Sequence, residues 1–94
     1  LRAEFKAPKL PVVVGELGNG GPDAKGGMAD FRKQQEEGTK RIENALFVKT
    51  SAFARDPKMS PNPGHGHHWS GNAESYFLIG GALGDGMKQL LKRK

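Results

Sequence analysis

Leu10-Pro11-Val12-Val13-Val14-Gly15-Glu16-Leu17-Gly18 is the stretch whose reading decides the fold. From Leu10 to Val14 it is a continuous apolar run rich in β-branched side chains. Such a run suits a short strand buried on both faces, as in a parallel sheet, and Gly15 to Gly18 closes it. Ala45-Leu46-Phe47-Val48 is a second run of the same kind. Between the two, Asn19 to Gly27 reads as a glycine-rich loop. Met28 to Glu37 reads as a helix with a narrow apolar edge at Met28 and Phe31, stopped by Gly38. Two such strands joined by a helix make the right-handed crossover unit of a parallel sheet.

Outward from this unit, Leu1 to Ala7 reads as the last turns of a helix, with Leu1 and Phe5 at helical spacing, and Pro8 ends it. Thr50 to Gly66 is a long loop punctuated by Asp56-Pro57 and Pro61-Asn62-Pro63. A last helix is predicted to start near Asn72, whose side chain can cap it, with Glu74 favoured by the helix dipole. Tyr76, Ile79, Leu83, Met87 and Leu90 form its apolar stripe. Gly80, Gly81, Gly84 and Gly86 each cost about 1 kcal/mol against alanine, so this helix needs close packing on a sheet.

The expected order is therefore α-β-α-β-α. Two strands with helices on their faces cannot bury both sides of Val12-Val13-Val14 and Leu46-Phe47-Val48. We expect residues 1–94 to be the C-terminal portion of one three-layer, doubly wound α/β domain, with its remaining N-terminal part as a partner. The sequence opens on Leu1 and not on methionine, in keeping with a start upstream.

Composition narrows the function. Apolar residues make up 35% of the chain and glycine contributes 14 residues, while cysteine is absent, which excludes disulfides and thiolate chemistry. Lys and Arg number 15 against 10 Asp and Glu. The basic residues are scattered among acidic ones, with a single run at Lys92-Arg93-Lys94, so no nucleic-acid role is expected. No apolar stretch approaches the ~18–20 residues of a membrane span. The glycine spacing after Leu17 fits neither a P-loop nor a dinucleotide fingerprint.

The chemistry concentrates in Gly64-His65-Gly66-His67-His68-Trp69-Ser70-Gly71, which holds all three histidines and the only tryptophan. Three readings of the cluster stand side by side. One imidazole could relay a proton for a serine nucleophile, several could ligate a metal, or all could be plain loop residues. Helical His-x-x-x-His and zinc-finger spacings are missing, which weakens the metal reading. Position favours a site, because active sites of parallel sheets gather beyond the C-terminal strand ends. The histidines follow the second strand, and Glu16 stands at the same end of the first.

Val13-Val14-Gly15-Glu16-Leu17-Gly18, Phe31-Arg32-Lys33-Gln34-Gln35, Ala45-Leu46-Phe47-Val48, and His68-Trp69 followed by Ala73 to Gly80 resemble the C-terminal half of the sialate O-acetylesterase domain family. These are carbohydrate esterases of the SGNH hydrolase superfamily. The resemblance spans nearly the whole chain and is strongest in the last block, which looks like an Asp-x-x-His-aromatic motif. It implies His68 as the catalytic histidine, with Trp69 at the aromatic position and Trp69 and Glu16 lining the substrate pocket. It implies an acetylated carbohydrate as substrate, no cofactor, no membrane, and a secreted or periplasmic setting. Two departures accompany it. His65 occupies the place of the aspartate, where it can orient the neighbouring ring but supplies no fixed negative charge, and Asp56 is another candidate for that role. The family's Gly-x-Ser nucleophile block belongs near the domain's start and is not in this sequence. A different class of reading is a non-catalytic carbohydrate- or metal-binding module using His65, His67 and His68.

Overall fold

The computed structural model describes residues 2–92, with position 67 described by its backbone alone. Leu1, Arg93 and Lys94, and with them parts of the expected Leu1–Phe5 pair and of the terminal basic run, lie outside the described residues, as does the side chain of His67. The chain is a small mixed α/β structure. It runs β1 (Val12–Gly15), α1 (Gly27–Lys40), β2 (Ala45–Val48) and α2 (Ala73–Lys92). Short 3-10 turns at Ser51–Phe53, Pro57–Met59 and Gly66–Gly71 fill the interval between β2 and α2.

The strands pair in parallel, Val12 opposite Ala45 through Gly15 opposite Val48. Asn44, in the left-handed region at φ 55°, turns the chain into β2. Its carbonyl accepts from Val12 N at 3.1 Å and its side-chain amide donates to the Lys9 carbonyl at 2.7 Å. Asparagine tolerates that conformation better than most residues.

The two helices meet the sheet from opposite sides. Side chains alternate along a strand, so Val13, Leu46 and Val48 share one face. A Cβ at Gly86 of α2 would lie 3.0 Å from Val48 Cγ2 and 3.2 Å from Leu46 Cδ2, so glycine lets the helix backbone approach this face closely. α1 lies toward the other face, where Glu36, Thr39 and Lys40 share a groove with Ala45 and Phe47. Among the described residues Leu90 is the only buried large hydrophobic side chain. Every strand residue is half-buried, short of the two-sided burial expected of the apolar runs.

Three expectations are corrected. The N-terminal helix is absent from the described residues: residues 2–6 form turns, with Ala7 N donating to the Arg2 carbonyl at 2.9 Å and Lys6 at φ 53°. Phe5 is 65% exposed, so the segment has no packing surface to offset the cost of helix nucleation. The first strand begins at Val12, two residues later than its apolar run. Gly38 does not stop α1, which continues to Lys40, with the Thr39 hydroxyl donating to the Gln35 carbonyl at 2.7 Å. α2 begins as expected: Asn72 Oδ1 accepts from Ser75 N at 3.1 Å as an N-cap.

Candidate functional site

Beyond the C-terminal ends of both strands, the segments leaving β1 and β2 are latched together. Glu16 Oε1 accepts from Thr50 N at 3.0 Å and from Ser51 N at 2.9 Å, and the Thr50 hydroxyl donates to the Glu16 carbonyl at 2.8 Å. The approach is close enough that a Cβ at Gly18 would lie 2.6 Å from Ser51 N. Burial pushes the Glu16 carboxyl upward, but the N–H groups of Ser51 and Thr50, with the Arg32 charge nearby, outweigh it and hold its pKa below the ordinary value.

Past the latch, a cleft of roughly 270 Å³ is lined by Asn19 and Gly20 from the β1 loop, by Ala54, Arg55 and Pro57, and by Gly66, Trp69 and Ser70. Asn19 Nδ2 donates to the Gly66 carbonyl at 3.1 Å, joining the β1 loop to the histidine turn. Arg55 Nε donates to the Glu74 carboxylate in the first turn of α2, fixing the far wall.

The histidine turn is built around the backbone of His65. Its carbonyl accepts from His68 N and Ser70 N, both at 2.9 Å, and its own N–H donates to the Asn62 carbonyl at 3.0 Å. Asn62 N donates in return to the Ser70 carbonyl at 2.8 Å. Trp69, Ser70 and Gly71 then take φ values of 56°, 54° and 68°, three successive left-handed residues. Two of them carry side chains, a conformation that costs each about 1–2 kcal/mol and gathers at functional sites. The Tyr76 hydroxyl, on α2, donates to the His68 carbonyl and ties the turn to the helix.

The sequence-predicted residues divide between two levels of this region. His68 is exposed on the turn, and Trp69 beside it lines the cleft half-buried. Glu16 serves the latch beneath and is not among the cleft-lining residues. His65 contributes its backbone to the geometry of His68. Asp56 caps the turn at Pro57–Met59, its Oδ1 accepting from Lys58 N at 2.9 Å. Among the described residues, no three His, Asp or Glu side chains gather as a metal site, and no helix is long and apolar enough to cross a membrane.

Other residues shape the site without having been assigned a role from the sequence. Arg32, Gln35 and Asn19 hold the β1 loop, and Tyr76 holds the turn. Tyr76 was legible only as a stripe residue, yet it is 48% exposed and its hydroxyl does the fastening. Among the serines, Ser60, Ser70 and Ser75 are buried, and the Ser75 hydroxyl donates to the Phe53 carbonyl at 2.6 Å. No family model, curated protein or solved structure matches this chain.

Proposed function

We propose that this chain is the C-terminal segment of an SGNH-type carbohydrate O-acetylesterase, with a nucleophilic serine contributed from upstream. The observation that carries the reading is the cleft itself. It opens beyond the C-terminal ends of parallel strands, with Trp69 in its wall and His68 next to it on a turn fastened at both ends. That is where parallel α/β enzymes gather their catalytic groups. In this reaction the serine Oγ attacks the acetyl carbonyl as the His68 imidazole takes its proton. The imidazolium then protonates the departing sugar oxygen, and the acetyl group stays on the serine. Water, deprotonated by the same imidazole, releases acetate and restores the enzyme.

Turnover of an acetylated sugar by the protein extended upstream through a Gly-x-Ser block tests the reading. His68→Ala should lower kcat by about 10²–10⁴-fold and leave KM nearly unchanged. Added zinc or a chelator should change neither value. Undiminished turnover in His68→Ala would overturn the assignment. Retention of saccharide binding without any turnover would favour a non-catalytic carbohydrate-binding module, for which an aromatic-walled cleft is also suited.

A further inference from the structure

We propose that Arg32, on α1 and outside the cleft, is a positioning residue that sets the cleft wall and, through it, the histidine turn. The residue is buried, 8% exposed. Nε donates to the Leu17 carbonyl at 2.6 Å and Nη1 to the Gly21 carbonyl at 2.8 Å. These two carbonyls bracket the segment that carries Asn19 and Gly20 into the cleft. Gln35, three residues further along α1, accepts from Leu17 N through Oε1 at 2.8 Å. One face of α1 thus holds both ends of the wall.

A planar guanidinium keeps several donors in a rigid fork and can hold two carbonyls at once, whereas a lysine ammonium is a single point on a flexible stem. From the loop held this way, Asn19 Nδ2 reaches the Gly66 carbonyl, between His65 and His68. The connection therefore runs from α1 through the loop to the turn. Two further atoms mark the wall as more than a structural staple. Arg32 Nη2 and Asn19 Oδ1 are buried with no hydrogen-bond partner among the described residues. Nη2 lies against the same wall, since a Cβ at Gly20 would be 3.8 Å from it. Buried donors and acceptors in folded proteins are nearly always paired.

The inference rests on the esterase reading only for the reaction it serves. Trp69 is the sole tryptophan of the chain, so its fluorescence reports on the cleft. Acrylamide quenching of Trp69 is measured in the parent protein, Arg32→Lys, Asn19→Ala and the double variant, with thermal melts confirming folded samples. Each single variant should raise quenching and perturb the His68 ring resonances seen by NMR. The double variant should go no further than the stronger single one, because both act along one connection. Additive effects would overturn the proposal. If Arg32→Lys does not fold, Asn19→Ala decides alone, and unchanged quenching and ring resonances in that variant overturn the connection.

In the esterase, Arg32→Lys should cost about 10²-fold in kcat/KM, the effect of a misplacement near 1 Å. If His68→Ala abolishes turnover while Arg32→Lys preserves kcat/KM, the role of Arg32 fails and the esterase reading stands. If His68→Ala is fully active, the esterase reading fails and the fluorescence cycle still decides on Arg32.

Discussion

Glu16 shows how a residue's place in the chain and its use in the fold can part. It stands at the strand end where an active-site carboxylate belongs, yet its oxygen is taken by two backbone N–H groups of the neighbouring segment. Removing it in Glu16→Ala leaves those donors without their acceptor. The expected loss is about 1–3 kcal/mol in chemical denaturation, since the lost bonds are to a charged group. The charge adds a pH signature. The folded-state pKa is lowered, so the stabilisation is present above the ordinary glutamate pKa and is lost as pH falls through the depressed value. Glu16→Gln should fold at neutral pH with a smaller loss and show a flatter decline of stability in acid. An acid decline as steep as the parent's would show that Glu16 does not carry it. His65 is a second residue read differently in space. Its backbone carbonyl accepts from His68 N and Ser70 N and so shapes the turn that carries His68.

At the scale of elements, the glycines of α2 separate into two kinds that the sequence cannot distinguish. Gly80 and Gly84 have open space where a Cβ would go, whereas Gly86 is buried against Val48 and Leu46. Gly84→Ala should therefore stabilise the protein by up to about 1 kcal/mol through helix propensity alone. Gly86→Ala gains the same propensity but forces a methyl group into a packed contact, where overpacking costs about 1–3 kcal/mol, so its net effect should be destabilising. Opposite shifts in Tm check the pair, and equal shifts would contradict the close approach of α2 to the sheet. The boundaries of β2 and the cap of α2 were legible in the sequence because their signals are local: a short continuous apolar run, and an asparagine before a helical stripe. The end of α1 was not, because Gly38 faces open space and the bonds made by Thr39 and Arg41 carry the helix past it.

Across the whole molecule, the exposed apolar surface is the dominant feature. Phe77 is 80% exposed, Met59 81% and Phe5 65%, while Leu90 is the one buried large hydrophobic among the described residues. Parallel sheets are ordinarily covered on both faces, and surface of this kind drives association. Sedimentation and light scattering of this chain should show self-association that rises with concentration, and a monomer with a sharp cooperative melt would contradict it. By itself the sequence determined the strand–helix–strand–helix order and the location of the histidines in the segment between β2 and α2. Those features follow from apolar periodicity, turn residues and caps, all local in the chain. Only the tertiary structure decided which groups meet there. The Glu16 latch, the reach of Arg32 to Leu17 and Gly21, and the bond from Asn19 to Gly66 join residues 11 to 47 positions apart. Such partners are selected by the parallel pairing of β1 with β2, which brings their C-terminal ends together, and no local pattern encodes them.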